Sequence, residues 1–563
     1  MVDMERCRAI QHAMRAELSR TVSGLHLPGH PRPFFVSYML HALKGLNVWG
    51  RYGSVFSSEP FEEADLYAEI RVGSAKLDQT VDGNLNTDLS ARESLNWVHA
   101  PQDLDPEAVR YCLWKLTQLK YWESLKDYYD KKKILVEQHL RQDAPSFTKE
   151  AKLVLEQPVE DVKFPTKQWE DFVRRTSNLF RGYRNLLDPF VNIRALSRVR
   201  VYVNSEGTRF IAHEKFYEVI VKAWHLTDDG VYLSSMRNFY GREKDDLPSI
   251  ARVEEAVDWI SRDLASLVKS EPMEPYAGPA LLTGAATGLI FHEAIGHRLE
   301  GERMTSRSEG RTFASKIGKA ILPKGVDLID DPTLSHWDGQ PLYGHYLIDD
   351  EGVRAQPAKL VDQGVLKTFL LSRSGVPGFR HSNGHGRSER HQDPMARMAN
   401  LIVTSKDEHD FPALKEMLMK DVRDRHLPHG IIVKRVSSGE TATGQYDFQA
   451  FKGVPTEVYS VDPKSGKETR VRDVSFIGTP LAAIQRIKAF GKDYEVDNAY
   501  CFAESGSVPV STVAPTMLVA ELELQRSTTN FYKPPILPFP PMKRSTTKKA
   551  ATKRPKASPK ARG

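Results

Sequence analysis

Cysteine is scarce: the chain has three in 563 residues, Cys7, Cys112 and Cys501, far apart and odd in number. That excludes a disulfide framework and leads us to expect a reducing compartment, the cytoplasm. Cys7 and Cys112 read as small buried hydrophobes. No apolar run reaches the roughly eighteen residues of a membrane span. The longest uncharged stretch, Pro275 to Phe291, is rich in glycine and contains Pro279, so it reads as core. The first twenty residues are too charged for the apolar region of a signal peptide. No internal repeat of fixed period is present. The net charge of +6 is uneven: residues 543–562 hold nine Lys or Arg and no acid, which leaves the rest at −3.

That tail, KRSTTKKAATKRPKASPKARG, follows the proline-rich KPPILPFPPM and cannot bury a core, so residues 529–563 are expected to be disordered. Its cations suit weak, salt-sensitive contact with nucleic acid, or simply a solvated terminus. Upstream, apolar spacing predicts helices from about Asp105 to Leu140, Lys167 to Leu187 and Pro248 to Val268. Residues 199–239 alternate between turns at Asn204–Gly207 and Asp228–Gly230 and predict an antiparallel meander. A short strand from Tyr276, a small-residue helix over 284–300, a turn-rich β region beyond Ile321 and a helix near 479–490 follow. The class is α+β. We expect a mixed N-terminal domain with an antiparallel sheet and extra helices (1–270), then a largely antiparallel β domain (271–528).

The segment GLIFHEAIGHRLEGE (288–302) carries the chemistry. His292, Glu293 and His297 fall in the order His-Glu-x-x-x-His. Imidazoles suit zinc, and a carboxylate beside a metal can take a proton from water. Histidines four apart share a helix face, but five residues give about 500° of rotation, so ideal helix geometry would splay the rings by about 140°. One metal for both rings therefore requires a local bulge, for which Gly296 supplies freedom. Alone, the pattern is weak and reads first as a buried amphipathic helix with two hydrogen-bonded histidines.

Further motifs accompany it: VRVYVNSEGTRF (199–210), DDPTL (330–334), DDEGVRAQPAKLVDQGVLKTFL (349–370), NGHGR (383–387) and a late cysteine, Cys501, before VPV (508–510). Together with HEAIGHRLEGE they resemble the TldD/PmbA family of metallopeptidases, over about Val199 to Leu524. The resemblance implies a zinc-dependent peptidase of the TldD-like, catalytic branch, with His292, His297 and Cys501 as metal ligands and Glu293 as general base. PmbA-like members lack the motif and act as non-catalytic partners. The resemblance also implies short or unfolded peptide substrates and a dimer, either of like chains or with a PmbA-like subunit. It places His385 and Arg387 near the substrate cleft, where a plain tight turn is the alternative. The family's Cys-Gly-Lys is replaced here by Cys501-Phe502-Ala503-Glu504, a change that bears on substrate preference. Glu300 and Glu302 read as solvated helix-end acids, with a hydrogen bond to a ligand imidazole as the alternative. His381, His391 and Asp393 read as loop residues. Two other functions fit the same residues: a non-catalytic scaffold, and a metal-dependent amidase acting on a non-peptide substrate.

Overall fold

The computed structural model describes residues 3–80, 95–142, 144–183, 186–228, 230–305, 311–441, 451–476, 484–527, 531–533, 537 and 540. Helix α1 (Met4–Gly24) starts where the Asp3 carboxylate accepts the Arg6 N–H at 2.7 Å, a side-chain cap for an otherwise orphaned donor. Two long strands follow, β1 (Pro33–Arg51) and β2 (Ser54–Val72), then α2 (Pro106–Glu137) and α3 (Thr166–Ser177). The meander β3 (Leu187–Asn204), β4 (Arg209–Leu226) and β5 (Tyr232–Gly241) leads into α4 (Ile250–Val268). The five strands form a sheet in the order β2-β1-β3-β4-β5, antiparallel throughout. A short strand, Val154–Glu156, also adds to β4 in parallel.

Strand parity sorts the two faces of this sheet. Val36, Tyr38, Leu40, Leu46 and Val48 of β1 all point to the face covered by the helices, with α1 and α2 over one end and α3 and α4 over the other. Met39 and His41 point the other way, with Tyr202 and Phe210, toward Ile348 of the second sheet's domain. Charge fixes that second contact. Arg200 donates to Asp350 at 2.5 Å and to the Ile348 carbonyl at 3.0 Å. The fully buried Arg373 donates to the Thr148 carbonyl and to Glu206, both at 2.7 Å, with Phe147 and Phe35 beside its guanidinium.

The second sheet is built from β6 (Tyr276–Leu282), β7 (Val326–Asp330), β8 (Asn400–Ser405), β9 (Gly430–Thr441), β10 (Phe451–Val461), β11 (Ile487–Ala503) and β12 (Gly506–Arg526), with shorter strands at its margins. It is mixed. β12 pairs antiparallel with β11 and β6 and parallel with β8, and β9 runs parallel to β6. Helix α5 (Gly284–Phe291) lies on one face, against Ala280, Leu282 and Met517. Helix α6 (Phe411–Asp424) covers the other through Leu414, Leu418 and Val422, which meet Leu281, Ile432 and Leu518.

The class is α+β, as the alternating and helical periods indicate. Four local expectations change. Before residue 100, where short strand and turn signals follow a helical start, the chain forms two 19-residue strands; β1 is buried on both faces for most of its length, which removes the polar alternation that marks a half-exposed strand. The helix expected over 167–187 ends at Ser177, passes through a 3₁₀ turn to Gly182, and β3 begins at Leu187. Helix α6 was not anticipated: its inward residues recur every fourth position within a turn-rich segment. The helix expected near 479–490 falls partly outside the described residues, and from Ile487 the chain is strand β11. The basic tail also lies outside the described residues.

Gly384 combines a left-handed backbone (φ +76°) with close approach, since a Cβ there would lie 2.3 Å from the Arg354 carbonyl oxygen. An L-residue in that conformation costs about 1–2 kcal/mol before any clash. Gly384→Ala is therefore expected to lower the thermal midpoint by several degrees, measured by circular dichroism; an unchanged midpoint would show that this turn tolerates a side chain.

Candidate metal centre

Small residues allow α5 to sit deep. A Cβ at Gly288 would lie 2.4 Å from Thr512 Oγ1, and one at Gly284 would lie 2.3 Å from the Ala514 carbonyl oxygen. At its C-terminal end the helix widens into a π turn over His292–Gly296, followed by a 3₁₀ turn over His297–Leu299. The His297 N–H donates to the His292 carbonyl, an i→i+5 bond between the two motif histidines themselves. A turn closed over five residues brings side chains five apart to one side. The rings meet nearly edge to face, centroids 4.9 Å apart at 89°.

Gly296 has a different part in this from the one its flexibility suggests. Its backbone is ordinary right-handed helix (φ −52°, ψ −59°). What it supplies is space, because a Cβ would fall 2.1 Å from Met398 Sδ.

Cys501 comes from the end of β11, more than two hundred residues later, and its side chain joins the pair. Its Sγ lies 3.2 Å from His292 Nε2 and 3.4 Å from His297 Nε2. The three ligand atoms all fall within 4.8 Å of one another, and the residues are buried. Zinc–nitrogen bonds of about 2.0–2.1 Å and a zinc–sulfur bond of about 2.3 Å at tetrahedral angles put N and S about 3.5 Å apart, so this donor set fits one ion. The tautomer fits too: with Nδ1 of His297 donating to Glu300 Oε1 at 3.0 Å, its Nε2 is free to face the sulfur.

The charges are arranged around the same three side chains. Burial alone would push the Cys501 thiol up, but the adjacent imidazoles of His297 and His292 hold it well below its usual value. Burial would lower His297, yet the Glu300 carboxylate and the Cys501 sulfur hold it well above the ordinary imidazole range. Glu300 is itself desolvated but is drawn down to about 2 by His297 and Arg303. The site thus favours positive charge beside a thiolate, the distribution a bound cation would take over from protons.

Glu300 is a buried member of this group, not a solvated acid. Arg303 Nε donates to it at 2.8 Å, and the Arg303 Nη atoms reach Glu504 at 3.1 and 3.0 Å. Glu302 is half-buried and accepts from the Ala396 N–H and the Ser372 hydroxyl. Glu293 is buried on the π turn beside Arg298, whose guanidinium burial pulls down to about 10 against the opposing Glu293 carboxylate. Arg397, Arg303, Glu504 and Asp497 were not singled out from the sequence. Asp497 shares a strand face with Cys501; desolvation lifts its carboxyl to about 6, and His292 is close enough to oppose the shift.

His385 and Arg387 take supporting positions instead of facing a cleft. His385 is fully buried, with Nδ1 2.9 Å from Asn383 Oδ1 and Nε2 3.3 Å from Asp330 Oδ1. Arg387, also buried, donates to the Pro509 carbonyl at 2.7 Å and to the Met398 carbonyl. His391 stacks on Trp97 at 3.6 Å, and Asp393 accepts the Tyr67 hydroxyl at 2.8 Å.

Residues 276–526, which hold all of these site residues, match the family described as the PmbA/TldA metallopeptidase C-terminal domain. That region carries a domain of the TldD/PmbA family. It is 32% identical over 242 residues to a metalloprotease of Archaeoglobus fulgidus, covering 42% of this chain and 51% of that one. It is 25% identical over 255 residues to a protein of Saccharolobus solfataricus named a zinc metalloprotease TldD homolog, covering 44% and 52%. The chain therefore spans about half the length of the curated TldD/PmbA relatives it matches. The fold is similar to the crystal structure of TldE from Thermococcus kodakarensis, with a TM-score of 0.60 at 12% identity, over 92% of this chain and 99% of that one. Among the described residues, no helix is long and apolar enough to cross a membrane.

The donor geometry predicts about one tightly held divalent metal per purified chain, lost in both Cys501→Ala and His297→Ala when measured by elemental analysis. Full metal content in either variant would show that the ion sits elsewhere.

Proposed function

We propose that this chain is a zinc-dependent peptidase of the TldD-like branch, with His292, His297 and Cys501 holding the metal and Glu293 as general base. The observation that carries the proposal is the convergence of two motif histidines and a remote cysteine through an i→i+5 turn. The metalloprotease names of the relatives that share this region support the same reading. When bound, a divalent metal supplies Lewis acidity: it makes water acidic near neutral pH and polarises a carbonyl.

The chain's own residues do the rest. Glu293, held on the π turn next to His292, accepts a proton from the attacking water and passes it to the leaving amine. Glu300 fixes the orientation and tautomer of His297. The cysteine ligand donates more charge than a third imidazole and tempers the metal's acidity.

Peptide recognition is placed on the outer edge of β11. Its inner edge pairs with β12, while among the described residues only Glu408–His409 adds to the outer edge, at Phe490–Gly491. An extended chain could pair there through backbone hydrogen bonds, which suits short or unfolded peptides and tolerates varied sequence. Assembly with a second subunit of the same fold is part of this proposal.

Glu293→Gln should retain its metal while peptide hydrolysis falls by about 10²- to 10⁴-fold, read with an unstructured fluorogenic peptide library. Turnover near the wild-type rate with metal bound would remove Glu293 from the base position.

A further inference from the structure

Arg397 is fully buried, and its guanidinium hydrogen bonds run to the strand turn that carries the cysteine. One terminal nitrogen, Nη2, donates to the Cys501 carbonyl at 2.7 Å and to Cys501 Sγ at 3.2 Å. The other, Nη1, donates to Ser505 Oγ and to the Gly506 carbonyl, both at 2.9 Å. Its Nε lies 3.6 Å from Glu300 Oε1, the carboxylate that holds His297. One rigid cation thus touches the sulfur, both sides of the β11–β12 turn and the acid behind a histidine. Burying a guanidinium this completely is costly unless its partners are themselves charged or strongly polar.

The geometry points to Arg397 as the positioning residue of the metal thiolate: it fixes the Cys501 sulfur between the two imidazoles and withdraws charge from it through a hydrogen bond. This inference rests on the metal-site reading above and adds to it a residue that does not itself bind the ion. Two consequences follow from the chemistry. A charge-assisted hydrogen bond lowers the energy of the sulfur lone pairs, so the thiolate donates less to the metal and leaves it a stronger Lewis acid. The planar fork also spans four acceptors at once, which a lysine's single nitrogen cannot do.

The test uses the full-length protein loaded with cobalt(II) alone, reading the sulfur-to-cobalt charge-transfer band and the cobalt affinity. In the wild type the band should be present. In Arg397→Met it should move to lower energy as the sulfur loses its hydrogen bond, with affinity down about 10- to 100-fold. Arg397→Lys should restore affinity in part while the band stays displaced. An Arg397→Met protein with the wild-type band and affinity overturns the inference. If that variant loses its native circular dichroism, Arg397→Lys decides in the same way: a displaced band with weaker binding supports the role, and unchanged values overturn it. A wild type that binds no cobalt through sulfur overturns the metal reading itself, and this inference with it. That result is distinct from a normal wild type with an indifferent variant.

Discussion

The backbone hydrogen bond from the His297 N–H to the His292 carbonyl sets the geometry on which the candidate site depends. An ordinary helical turn would send the two rings to different sides of the helix. A turn closed over five residues turns them toward each other instead, and the cost of that irregular turn is met by packing around it. Met398 fills the space beside Gly296, while Arg298 donates to the carbonyls of Glu293 and Ala294. The widened turn and the surrounding core fit closely: a Cβ at position 296 would force the Met398 thioether aside.

Charge completes what the backbone begins. Beside the three ligand side chains Arg397, Glu300, Arg303 and Glu504 follow one another with alternating sign: Arg303 is hydrogen-bonded to both acids, and Arg397 lies 3.6 Å from Glu300. Each buried charge has an opposite neighbour, which is the condition for holding ions away from water. The same logic recurs where the two sheets meet, in Arg200 on Asp350 and Arg373 between Glu206 and Phe147. The chain thus relies on buried arginines both to join its halves and to support its site.

Much of this was legible in the residues. The five-residue spacing required a bulge between the histidines, and one is present. The meander over 199–239 and the apolar stripe of α4 follow directly from periods of two and 3.6. The grouping of Cys501 with the histidines came from the family resemblance, since nothing in local spacing links positions 297 and 501. Other features escaped because their signals are not local. Arg397 sits in MARMANL, where no neighbour indicates that it reaches Cys501, and Glu504 is an exposed turn residue whose pairing with the buried Arg303 no local signal records. The resemblance alone points His385 and Arg387 to a cleft, whereas here the turn is buried and their partners are Asp330, Asn383 and backbone carbonyls. The helix α6 and the length of β1 and β2 were obscured in a related way: burial is decided by what packs on each face, which no single segment records.

The central claim is that one metal ion is held jointly by His292, His297 and Cys501. X-ray absorption at the zinc edge of the purified, zinc-loaded protein tests it most directly. The account predicts one sulfur at about 2.3 Å with two imidazole nitrogens at about 2.0–2.1 Å and a remaining light-atom ligand. A coordination shell without sulfur, or one with several sulfurs, would contradict it.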